Sequence, residues 1–154
     1  MAALNREDVY RSMLDDFVSQ TGISTTLIQL GYQPLETLGL ANWYEWQFEG
    51  YTGEQTRTSD SLLGRGSVRV MVRTRAQVNA TGRYDHGLPW QNTQTVIAST
   101  EGRDVQIKNH ASGGGTSIVG MAQYQETQID EVGEPADGVH TIICTTDFVL
   151  SAPQ

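Results

Sequence analysis

The sequence predicts an α+β domain: a largely antiparallel sheet of four or five strands, covered by an N-terminal helix and one further helix, with long extended loops. Three observations predict it. Val9, Tyr10, Met13, Leu14, Phe17 and Val18 recur at three- and four-residue spacing, the mark of one apolar helix stripe. Tyr44, Trp46 and Phe48, and then Val68, Val70 and Val72, alternate with polar residues at period two, the mark of strands with one buried face. Two β-prone segments near the C-terminus flank Pro135 and Asp137-Gly138, which supply turn chemistry.

In chain order, Asn5 is a good N-cap, and Glu7 and Asp8 place negative charge where the helix dipole favours it. The first helix starts there and stops at Gly22. Thr25 to Leu30 is β-prone, but Gly31, Pro34 and Gly39 interrupt it too soon to fix its state. Asn42 to Glu49 reads as a half-buried strand, with Trp43, Glu45, Gln47 and Glu49 on its polar face. The valine strand, SVRVMVRT, follows. A second helix runs from Pro89 or Trp90 to about Thr100, since Pro suits a first turn and Gly102 a last one. Asp104 to Lys108 is a short strand, and Met121 to Val132 with Val139 to Leu150 closes the chain as a hairpin. The polar stretches Gly50 to Gly66, Thr74 to Leu88 and Asn109 to Gly120 read as loops. They are long for one compact domain, which points to loops ordered by neighbouring chains.

The 154 residues and 38% hydrophobic content fit one domain, 1–154, with a modest core. No run approaches the roughly 18 to 20 apolar residues of a membrane span, and MAALNREDVY has neither a basic start nor an apolar h-region. The expectation is a protein made in the cytoplasm without secretion. A single cysteine, Cys144, excludes an internal disulfide and a cysteine-rich zinc site. The net charge of -8 argues against ordinary duplex binding. Arg65, Arg69, Arg73, Arg75 and Arg83 cluster in the middle, whereas Glu126, Asp130, Glu131, Glu134, Asp137 and Asp147 make the last third acidic. The two regions either meet between copies of the chain or form solvated faces.

Chemistry finds little purchase. His140 and Cys144 share a strand face about 13 Å apart, too far for a catalytic dyad. Asp85 and His86 adjoin in a loop with no nucleophile nearby, and His86 with His110 has no metal-ligand spacing. Gly113, Gly114 and Gly115 lack the Lys-Ser/Thr ending of a phosphate loop and read as a flexible hinge. No catalytic residue, metal or cofactor is expected. Arg65, Arg69 and Arg73 form a ridge that pairs with acids of the same sheet, meets the acidic region of a neighbour, or faces DNA phosphates. Trp43 is either covered by the long loop or sits at an interface. The interface candidates are therefore Trp43, Arg65, Arg69, Arg73, Arg75, Glu126, Asp130, Glu131 and Glu134.

The order of parts resembles the tail terminator proteins of long-tailed bacteriophages. The resemblance rests on the helix around Val9 to Val18, NWYEWQFE, GSVRVMVRT, the helix after Leu88, and VGEPADGVHTIICTTDFVL. It covers most of the chain through pattern and order, without an invariant signature, and the middle helix is less apolar than in that family. What it implies is a non-enzymatic virion protein at the head-tail junction. Such a protein forms a hexameric ring that caps the tail-tube protein, stops tube growth and offers a surface to a head-completion or connector protein. Double-stranded DNA would pass through the lumen without sequence-specific binding, and an acidic wall would keep phosphates from sticking. Other readings of the same residues are another phage connector or minor tail subunit, a small enzyme using Asp85 and His86, and a monomeric ligand-binding domain.

Overall fold

A computed structural model of the chain describes residues 4–30, 37, 39–53, 62–76, 82, 87–132 and 138–151. Helix α1 (Arg6–Thr21) begins where Asn5 Oδ1 accepts the Glu7 N–H at 2.8 Å and ends at Gly22, whose φ of 66° is the left-handed conformation a C-cap requires. A single 3-10 turn, Thr25–Leu27, leads into β1 (Ile28–Leu30). Then follow β2 (Asn42–Gly53), β3 (Leu62–Arg75), α2 (Gly87–Thr100), β4 (Asp104–Lys108), the short α3 (His110–Gly113), β5 (Ile118–Val132) and β6 (Val139–Ser151).

The six strands form one sheet in the order β1-β2-β3-β6-β5-β4. Only β1 runs parallel to its neighbour; every other pair is antiparallel. The α+β class with a mostly antiparallel sheet is as expected, and the sixth strand is β1, whose state the sequence left open. The expected loop from Gly50 to Gly66 is corrected: β2 runs on to Gly53 and β3 starts at Leu62, with Thr52 opposite Arg65 and Gly53 opposite Gly64 beyond a register shift. Ladder hydrogen bonds join backbones, so a strand can continue through residues that carry no apolar pattern. Likewise Asn109 to Gly120 contains α3 and the start of β5, and the ends of Thr74 to Leu88 belong to β3 and α2. These shorter connections weaken the expectation that three loops need neighbours to order them.

One face of the sheet carries the core. Val68, Val70 and Val72 of β3, Ile142, Cys144, Phe148 and Leu150 of β6, and Tyr44 and Trp46 of β2 are all buried there with Val9, Met13 and Phe17 of α1. Tyr10 meets Trp46 edge-on at 5.4 Å, and the aromatic contacts continue through Phe48, Phe148 and Tyr124. On its other flank α1 reaches the opposite edge of the sheet, where Ser12 Oγ accepts the Lys108 N–H of β4 at 2.9 Å. A single helix can touch β2 and β4, near opposite edges of the sheet, only if the sheet curls around it.

Candidate functional site

Cys144 is 1% exposed, and burial pushes its thiol up to about 12, so it is inert at neutral pH. His140 faces Glu131, with Nε2 2.8 Å from Oε1 but without hydrogen-bond alignment. Asp85 and His86 lie outside the described residues. Among the described residues no group of three His, Cys, Asp or Glu side chains is placed to hold a metal ion. His110 stands 3.8 Å from Asp15. It borders a polar groove of about 640 Å³ between α1 and β4, lined also by Ser12, Asp16, Asp104 and Lys108. Asp16 there is taken up by Arg103, with contacts of 3.0 and 3.4 Å. Above it Tyr124 is held well above its usual value, by burial first and then by the Asp16 charge. No nucleophile and base meet in this groove.

The glycines read as a hinge are instead the end of α3. Gly114 takes φ 68° and closes the helix, while the Gly113 and Gly115 N–H groups both donate to the Asn109 carbonyl. The Asn109 side chain in turn accepts the Ser117 N–H. The stretch is a hydrogen-bonded turn because asparagine satisfies the amide groups that the glycine backbone turns inward.

The interface candidates lie mainly on the sheet face that the helices do not cover. Arg69 and Arg73 alternate with the buried valines of β3, and β2 offers Glu45 and Glu49 beside them. Arg73 Nε sits 3.1 Å from Glu45 Oε1, and a guanidinium nitrogen is 3.5 Å from Thr141 Oγ1 on β6. Arg69 reaches Glu49 more loosely, at 3.8 Å, with both side chains more than a third exposed, so this pair adds little stability. Arg73, and loosely Arg69, thus pair with acids of their own sheet, which is the first of the ridge's three expected uses. Ser67 donates to Asp147 at 2.6 Å in the same layer, and Arg65 is exposed further along β3.

Arg75 and Trp43 resolve together. Arg75 donates to the Leu40 and Thr37 carbonyls at 3.0 and 3.2 Å, and its guanidinium lies 5.5 Å from the Trp43 ring centroid. Trp43 is 5% exposed and is covered within the chain where Arg75 lies over it. Arg75 is half-buried in the same contact. The sequence signal was the register itself: Trp43 sits opposite Arg73, one step from Arg75 on the same face.

The acids of β5 behave differently. Glu126 falls at a bulge, where the pairing with β6 shifts between Tyr124 and Thr127, and it is exposed. Asp130 and Glu131 are exposed as well, and Glu134 lies outside the described residues. Strand β6 separates these acids from the arginines of β3, and among the described ion pairs none joins the two groups. No helix of the described residues is long and apolar enough to cross a membrane.

No protein-family profile matches this chain, and no curated protein matches it at a significant level. Solved structures do share its shape. One chain, whose designation states no activity, superposes with a TM-score of 0.58 at 9% identity, covering 99% of each chain. At that identity the likeness shows the fold alone, over its full length.

Proposed function

We propose that this chain is a structural virion subunit of the tail-terminator type, which assembles into a ring that caps a tail tube, ends its polymerisation and receives the head. The observation that carries the reading is the sheet itself. One face packs on helices, while the other bears paired charges and half-buried side chains along most of its length, with Trp43, Thr141 and Val139 buried at one end. Arginines on β3, segregated from exposed acids on β5, give the two unlike patches that a head-to-tail ring requires. The order of elements, from α1 through the aromatic and valine strands to the closing hairpin, agrees with the resemblance drawn from sequence. Enzymatic readings gain nothing from a buried, protonated Cys144 and a groove in which no described hydrogen bond joins a serine to a base.

The test is morphological. Particles assembled without this protein should show overlong tails, or tails that fail to join heads, in negative stain; normal virions would reject the proposal. Restoring Arg65→Glu protein should impair ring formation more than restoring Trp43→Phe protein, because only the first changes an exposed side chain.

A further inference from the structure

The strand lengths at one edge of the sheet do not match. Strand β5 has 15 residues and β4 has 5, and their ladder ends at the pair Asp104 and Gln123. Just past it the Tyr124 N–H donates to the Arg103 carbonyl and the Gly102 N–H to the Gln125 carbonyl. Thr127 then turns its N–H away from β6, to Glu101 Oε2 at 3.2 Å. Inward and outward amides alternate along a strand, so the N–H and C=O groups of Ile129 and Glu131 point off the same side. Among the described residues no strand pairs with that edge.

A wall stands beside it. Trp90, Gln94 and Ile97 recur at helical spacing as one stripe of α2, and the bond from Thr127 to Glu101, one residue past the helix end and in the same spacing, shows this stripe turned toward β5. Trp90 is 43% exposed and Ile129, on the helix-facing side of β5, is 39% exposed. Two large apolar side chains thus stay exposed, one on α2 and one on β5, beside a strand edge that no described strand pairs.

Charge selects what fits. Exposed carboxylates lie on both faces of this edge, Glu101 and Glu131 on the helix side, where Glu131 also faces His140, Asp130 on the other side and Glu126 at the bulge, and neither β5 nor α2 contains a lysine or arginine. Joining β5 of one copy to β5 of another would set these carboxylates against each other, and like charges across a ladder are destabilising. The chain as a whole carries -8.

The geometry points to a docking channel for an extended, basic segment of a different polypeptide, which adds a strand to β5. Its backbone pairs with Ile129 and Glu131, its apolar side chains lie against Trp90 and Ile129, and its lysines or arginines face the carboxylates. This goes beyond the ring reading and stands whether or not the chain caps a tail tube.

The experiment titrates an acetylated octapeptide of alternating lysine and valine into the full chain. Its controls are the glutamate-valine octapeptide and the lysine peptide N-methylated along one backbone edge. The lysine peptide should bind at least about tenfold more tightly than either control at low salt, and lose affinity as salt screens it. It should also slow amide exchange at Ile129 and Glu131. Ile129→Lys and Glu131→Lys should each weaken binding, whereas Arg11→Ala on the outside of α1 should not. Equal binding of the three peptides, protection elsewhere, or no binding up to about 1 mM would overturn the channel. The acids would then serve only to keep the edge from pairing. Dimerisation that protects the same amides without peptide would overturn it in favour of a second copy.

Discussion

Under α1 the sheet meets Val9, Met13 and Phe17, none more than 1% exposed, whereas under α2 it meets Thr93, Ser99 and Thr100 around Val96. The α2 hydroxyls donate largely to their own helix: Thr93 to the Pro89 carbonyl, and Ser99 and Thr100 to that of Val96. Thr100 also accepts from Thr146 on β6 at 3.5 Å, and Thr146 lies 2.8 Å from Thr127 on β5. Asn92 donates to Thr74 of β3. Helix α1 is therefore held mainly by non-directional burial, with Ser12 and Asp16 bonded along its polar flank, while α2 is seated by a short chain of hydroxyls that fixes its position more than its strength. Arg103 bridges the two helices, donating to Asp16 of α1 and to the Ser99 carbonyl of α2.

Truncating the α1 face should do the most damage. Phe17→Ala should cost about 3–5 kcal/mol in chemical denaturation, since both its transfer energy and the cavity count. A loss under about 1 kcal/mol would mean that α1 is no better anchored than α2. Arg103→Gln should cost about 1.5–3 kcal/mol, because the bonds it loses are charge-assisted. Thr146→Val should cost about 1–2 kcal/mol by leaving the Thr127 hydroxyl without its partner, and should loosen α2 while sparing α1. In the wild type, amide exchange should be faster across Val96 to Thr100 than across Met13 to Phe17. Equal protection would erase the contrast between the helices.

The same contrast explains what the sequence made legible. Helix α1 could be read from spacing and caps because burial alone builds it. The extent of α2 was close, although its threonines prefer strands, because tertiary contacts outvote their propensity. Strand β1 was ambiguous, since three residues paired in parallel leave too short a pattern to read. The arms of β2 and β3 beyond Glu49 looked like loop because backbone pairing leaves no mark in side-chain chemistry. Among site residues, the partners of Arg69 and Arg73 were visible as the polar face of β2. The channel beside β5 was not, because it arises where β4 ends and β5 continues, a difference set by three-dimensional pairing. Acidic residues on β5 were its only trace in the sequence.

Burial sets the alkaline limit of the fold. The Cys144 thiol moves from 9.0 to about 12, and Tyr44 and Tyr124 are also raised, chiefly by burial. A folded value above the unfolded one stabilises the fold fully below the unfolded value and loses that contribution as pH climbs through the folded one. Thermal midpoints should accordingly fall between pH 9.0 and about 12, and less steeply for Cys144→Ala. A midpoint flat across that window would contradict the burial of these groups.

Cys144 also stands mid-ladder, opposite Val70 on one side and Ile129 on the other. Its side chain lies on the helix-packed face, so an alkylating reagent reaches the sulfur only when that packing opens. Reagent uptake by the unmodified chain therefore times the opening of the core, and the molecule carries its own stopwatch.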